Sequence, residues 1–112
     1  MAGKQHLDVR DNPTGKRFEI ALENGSVAFA EYQLLIGKIM FTHTEVPESH
    51  EGQGLGTDLI RAGLGFARER GLKVIPICQF FAAYMAKHAE EQDLLEDSWR
   101  LRFGLPPLGA TA

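Results

Sequence analysis

A chain of 112 residues with a formal charge of -3 and a pI near 5.8 lacks the basic surplus or basic stripe of a nucleic-acid binder. Its 44% hydrophobic and 24% charged residues are those of one ordinary globular domain, long enough to bury roughly two thirds of its unfolded surface. No run approaches the ~20 apolar residues of a membrane span or the apolar core of a signal peptide, so a cytoplasmic protein is expected, and a single cysteine excludes an internal disulfide.

Residues 1 to 16 read as a flexible arm, because Asp11-Asn12-Pro13-Thr14-Gly15 is a cluster of turn formers. Phe18, Ile20 and Leu22 then alternate with polar or small residues, the period of a half-buried strand, and Asn24-Gly25 follows as a hairpin turn. Val27 to Leu35 carries apolar residues on both faces and is expected inside a sheet. After a turn at Ile36-Gly37-Lys38, a third strand runs from Ile39 to about Val46. Simple alternation places Ile39, Phe41 and His43 on one face and Met40, Thr42, Thr44 and Val46 on the other. The first three strands form an antiparallel meander.

Pro47 closes the third strand, and Glu51-Gly52-Gln53-Gly54-Leu55-Gly56-Thr57 opens a helix of about Leu55 to Arg70 that Gly71 terminates. Alternate glycines let the backbone aim N–H groups at one point, and the helix N-terminus adds its free N–H groups and positive dipole end. An anion such as a phosphate or pyrophosphate is the natural guest. Leu72 to Cys78 is short, β-branched and bounded by Gly71, so it reads as a fourth strand parallel to the third. Pro76 cannot donate to a neighbour, which is tolerated at a sheet edge or where two strands have separated, so a local gap between those two strands is expected. Gln79 to about Leu95 is helix-favouring, as one helix or two, and residues 97 to 112 form a tail of large apolar residues and breakers.

Spacing sorts the phosphate-binding loops. A P-loop needs a lysine after its last glycine, and Thr57 follows Gly56; the dinucleotide fingerprint needs glycine where Thr57 stands. The remaining pattern, Q/R-x-x-G-x-G/A between an antiparallel meander and a parallel strand, resembles the GNAT acetyltransferase superfamily. Phe41-Thr42-His43-Thr44-Glu45-Val46-Pro47, the glycine loop and Val74-Ile75-Pro76-Ile77-Cys78 together resemble its small, minimal members, over residues 17 to 95. Glu51 stands where that pattern has Gln or Arg, which leaves the backbone amides to hold the anion.

The resemblance implies an α+β minimal GNAT fold over residues 17 to 96 and an acetyl-coenzyme A site. Pyrophosphate would lie at Gln53, Gly54, Leu55, Gly56 and Thr57, and the pantetheine arm along Thr44, Glu45 and Val46, where the two parallel strands separate. It also implies transfer of acetyl to an amine acceptor, directly or through a cysteine thioester; a non-catalytic acyl-coenzyme A binding module is the alternative. Two helices common between the first two strands of the superfamily are missing, so the acceptor site is very open, completed by a second subunit, or degenerate, and the protein is expected as a monomer or a homodimer.

Cys78, at the carboxyl end of a strand, is either an inert buried cysteine or an acetyl carrier favoured by the helix that follows. His43 on the adjacent strand is either a structural residue or a general base standing near Cys78 or the amine. Tyr84 is a helix-face aromatic at a spacing loosely like that of the tyrosine that protonates the departing coenzyme in the superfamily. His50 and His88 read as surface residues, with His88, Lys87 and Arg61 as partners for the cofactor's outer phosphate. No metal-ligand spacing is present.

Overall fold

In a computed structural model describing residues 8–108, five strands form one sheet in the order β1-β2-β3-β4-β5. They are β1 (Arg10–Asn12), β2 (Arg17–Ala21), β3 (Val27–Leu35), β4 (Lys38–Glu45) and β5 (Lys73–Pro76). Neighbours pair antiparallel except β4 and β5, which are parallel. Helices α1 (Leu55–Arg70), α2 (Gln79–Lys87) and α3 (Asp97–Arg102) complete the chain, with 3-10 turns at Glu48–His50 and Ala89–Leu94.

The expected meander is present, with one strand more than expected. Asn12 to Lys16 is not merely an irregular stretch: Lys16 N donates to Pro13 O, Gly15 N donates to the Asn12 side chain, and the resulting turn folds Arg10–Asn12 back on β2. Tyr32 fastens this edge strand by donating its phenol to Asp11 at 2.6 Å. Burial pushes that phenol's pKa up, and the Asp11 carboxylate pushes it further. Residues 1–7 of the expected arm and 109–112 of the expected tail lie outside the described residues.

One face of the sheet makes the core. Phe18 and Ile20, Ala28, Ala30 and Tyr32, Ile39 and Phe41, then Val74 alternate inward along successive strands. Leu55, Leu59, Leu64 and Ala67 of α1 lie over them, buried at helical spacing. From α2, Phe81 and Met85 reach the same core, and Phe81 stacks on Phe41 with ring centroids 3.9 Å apart. The other face, with Val27, Phe29, Met40 and Ile75, is only half-buried. The segment expected as one helix or two is α2 followed by a 3-10 turn. Beyond it Trp99, Phe103 and Leu105 pack against the core.

Paired carboxylates make stability fall in acid. The Arg68 hydrogen bond holds Asp93 below the usual carboxylate range, and hydrogen bonds from Asn12 and then Arg17 do the same for Glu19. A folded-state value below the unfolded one gives stability that is complete above the ordinary carboxylate range and is lost as pH falls through the lowered values. Denaturant melts at about pH 7, 5 and 3 should therefore show the midpoint dropping mainly below about pH 5. Arg68→Gln should make the drop shallower, and an identical profile in the variant would remove Arg68 as a cause.

Candidate functional site

The site begins with an irregularity in β4. Glu31 pairs with His43 while the next residue, Tyr32, pairs with Phe41, so Thr42 is the extra residue of a β-bulge. A bulge shifts the alternation by one residue. Ile39 and Phe41 face the core, yet after the bulge it is Thr44 that is buried, and His43 turns to the half-buried face. There its ring lies 6.0 Å from that of Phe29, and its Nε2 is 3.2 Å from Glu45 Oε2. The expected meeting of His43 with Cys78 is thereby corrected, because the two side chains lie on opposite sides of the sheet.

Strands β4 and β5 part where Pro76 predicts it. Their paired register ends at Phe41 with Pro76, and the last link is the Cys78 amide donating to Phe41 O at 2.8 Å. Cys78 is the N-cap residue of α2 and only 6% exposed. Its Sγ is 3.2 Å from Thr44 Oγ1, so the bulge and the strand break together place a hydroxyl against the thiol.

On the other side of the split, the chain leaves β4 through the 3-10 turn and enters α1. Gly52 and Gly54 both adopt left-handed backbone, at φ 82° and 81°, a conformation that costs any other residue. Gly54 caps α1 without a side-chain hydrogen bond, so the first N–H groups of the helix, beginning at Leu55, have no capping side chain to accept them. Those N–H groups and the helix dipole favour a bound anion.

A cleft of about 450 Å³ lies between the end of β4 and the glycine loop, and Cys78 is not among its lining residues but meets it through Thr44. Among the expected residues it is lined by Thr44, Glu45, Val46, Gly54, Leu55 and Gly56. Gln53 is exposed and Thr57 half-buried, and neither lines it. Four lining residues lie outside the expected site: Glu51 and Gly52 at the entrance of the loop, Phe80 and His50. Phe80, in the first turn of α2, stays 57% exposed at the cleft, although helical periodicity marks it as no different from its neighbours. His50 is not the surface residue expected: it is 5% exposed, with Nδ1 2.8 Å from Ser49 Oγ and Nε2 2.9 Å from a Glu23 oxygen.

Tyr84 is placed elsewhere. Its hydroxyl accepts from Arg61 Nε at 3.3 Å and its ring stacks on His88 at 3.8 Å, so it joins α1 to α2 instead of lining the cleft. Among the described residues no group of His, Cys, Asp and Glu has the arrangement to hold a metal ion, and no helix is long and apolar enough to cross a membrane.

A family model described as GCN5-related N-acetyl-transferase matches residues 17–94. Among solved structures, the chain is similar to the solution structure of a GCN5-like N-acetyltransferase candidate from Staphylococcus aureus. Sequence identity is 31% and the TM-score 0.64, over 80% of this chain and 87% of that one. No curated protein matches the sequence.

Proposed function

Because the chain belongs to the GCN5-related N-acetyltransferase family, we propose that it moves the acetyl group of acetyl-coenzyme A to an amine, with Cys78 as the transient carrier. The observation that supports this reading is that the cleft lined by Gly54, Leu55 and Gly56 is also lined by Thr44, whose hydroxyl is 3.2 Å from the sulfur of Cys78, itself buried behind the lining. The loop suits the pyrophosphate. Main-chain groups of β4 beyond Phe41 have lost their β5 partner and suit the amide-bearing pantetheine arm, as an added strand would.

Each step balances. Sγ of Cys78 attacks the thioester carbonyl, the bond from that carbonyl to the coenzyme sulfur breaks, and the thiol proton passes through the Thr44 hydroxyl to the departing thiolate. Nucleophile and leaving group are both thiols, so exchange between them is nearly balanced and needs no strong base. An amine then attacks the acetyl-cysteine carbonyl, the C–S bond breaks, and the proton that the amine gives up passes through the Thr44 hydroxyl to the Cys78 sulfur, which re-forms the thiol. His43, on the opposite side of the sheet with Glu45 and Phe29, takes no part in either step.

Thermal melts with coenzyme A, acetyl-coenzyme A, ATP and NAD test the reading. A ligand at a hundredfold excess over its Kd stabilises the fold by about 2.7 kcal/mol, which at this length raises Tm by roughly 10 °C. Coenzyme A and acetyl-coenzyme A should give such shifts. Stabilisation by ATP or NAD but not by coenzyme A would sink the proposal. A shift with acetyl-coenzyme A that never yields free thiol in the presence of any amine would mark a binding module instead.

A further inference from the structure

The glycine loop presents a physical difficulty of its own. Two left-handed glycines flanking one exposed residue make a segment with much conformational freedom to lose, and amides that wander cannot converge on an anion. Something outside the loop has to hold it. The side chain immediately before it is His50, buried at the cleft, with both ring nitrogens occupied.

Those bonds lead away from the cleft. Nε2 lies 2.9 and 3.0 Å from the two carboxylate oxygens of Glu23, which follows β2 at the start of the hairpin turn. Ser49 Oγ, the partner of Nδ1, accepts from Asn24 Nδ2 at 3.3 Å, and Asn24 Oδ1 in turn accepts from Ser26 N and Oγ at 3.0 and 2.6 Å. The loop entrance is thus tied by side chains to the β2–β3 turn, which the sheet fixes. The Glu23 carboxyl is held below its usual range by its own backbone N–H and then by His50, so the partner is ionised at neutral pH.

We propose that His50 is the positioning residue of the phosphate-binding loop, locked by Glu23, and that the pair sets affinity for the pyrophosphate end of the cofactor. This rests on the coenzyme A reading above. With both nitrogens engaged, the imidazole acts through the loop and not by touching the ligand. A merely space-filling histidine would support the whole cleft equally, whereas a loop-positioning one acts selectively on ligands that carry the pyrophosphate.

The test measures Kd for coenzyme A and for pantetheine, which lacks the pyrophosphate and nucleotide. The proteins are wild type, Glu23→Ala, His50→Ala, the double variant and His50→Gln. Losing a charge-assisted hydrogen bond should weaken coenzyme A by about tenfold in each single Ala variant and pantetheine by less than about twofold. The double variant should be no weaker than His50→Ala, because the two residues act as one unit. His50→Gln, whose amide can still donate to Glu23, should recover most of the affinity. Glu23 is 71% exposed, so Glu23→Ala stays folded and decides the matter even where His50→Ala does not fold. Equal losses for both ligands, or unchanged coenzyme A affinity in Glu23→Ala, overturn the inference. Wild type that fails to bind coenzyme A overturns the functional proposal itself.

Discussion

Cys78→Ala is expected to abolish the covalent acetyl adduct and to reduce amine acetylation by about a thousandfold or more, the scale of removing a nucleophile that works as part of a unit. Intact-mass measurement after mixing with acetyl-coenzyme A reads the first effect, and release of free thiol in the presence of amine reads the second. A melt of the variant separates either result from loss of fold, which the substitution is not expected to cause. Alanine removes only a small buried group, worth about 1 kcal/mol, and the Cys78 main-chain bond to Phe41 is kept. Thr44→Val keeps the volume and removes the hydroxyl 3.2 Å from the sulfur. If that hydroxyl relays the thiol proton, adduct formation in Thr44→Val should slow by about a hundredfold, at the lower end of proton-transfer catalysis. No adduct on wild type, together with undiminished turnover in Cys78→Ala, would mean that the amine attacks acetyl-coenzyme A directly.

What the sequence reveals of this site, and what it conceals, divides by range. Asn24-Gly25, the α1 periodicity, Gly71 and Pro76 are local signals, and each stands where its chemistry requires it. The bulge at Thr42 is different. Alternation along β4 reads equally well with or without an extra residue, and the shift becomes visible only in the register against β3, so the faces assigned to His43 and Thr44 come out reversed. His50 is concealed for a similar reason: the partner that engages its ring, Glu23, lies 27 residues away across a turn. Three residues of β1 are too few to show a period, and they are held by Tyr32 from across the sheet. For Tyr84, spacing places a residue on a helix face but does not say which neighbour that face meets; here it meets Arg61.

Two glycines of α1, two positions apart, should respond to alanine with opposite signs. In an open helical position Gly→Ala is favourable by about 1 kcal/mol, because alanine loses less backbone freedom. Gly65 is exposed with nothing within 4 Å of an added Cβ, so Gly65→Ala should raise Tm by roughly 4 °C. At Gly63 the added Cβ would stand 2.8 Å from Phe41 Cε1 and Cζ and 3.2 Å from Phe81 Cε2. Those rings are fully buried and stacked nearly parallel, at 8°, so neither can give way without moving the other. Overpacking of this kind costs about 1–3 kcal/mol, which matches or exceeds the propensity gain, and Gly63→Ala should lower Tm by several degrees while Gly63→Val leaves little folded protein. The consequence reaches the site, since Phe41 is the residue whose carbonyl takes the last hydrogen bond before the strands separate. Displacing Phe41 moves the split, so folded Gly63→Ala should also show a smaller coenzyme A shift than wild type, whereas Gly65→Ala should keep it. A Gly63→Ala protein as stable as Gly65→Ala would show that the ring pair yields, and that the close approach of α1 to β4 is not what positions the split.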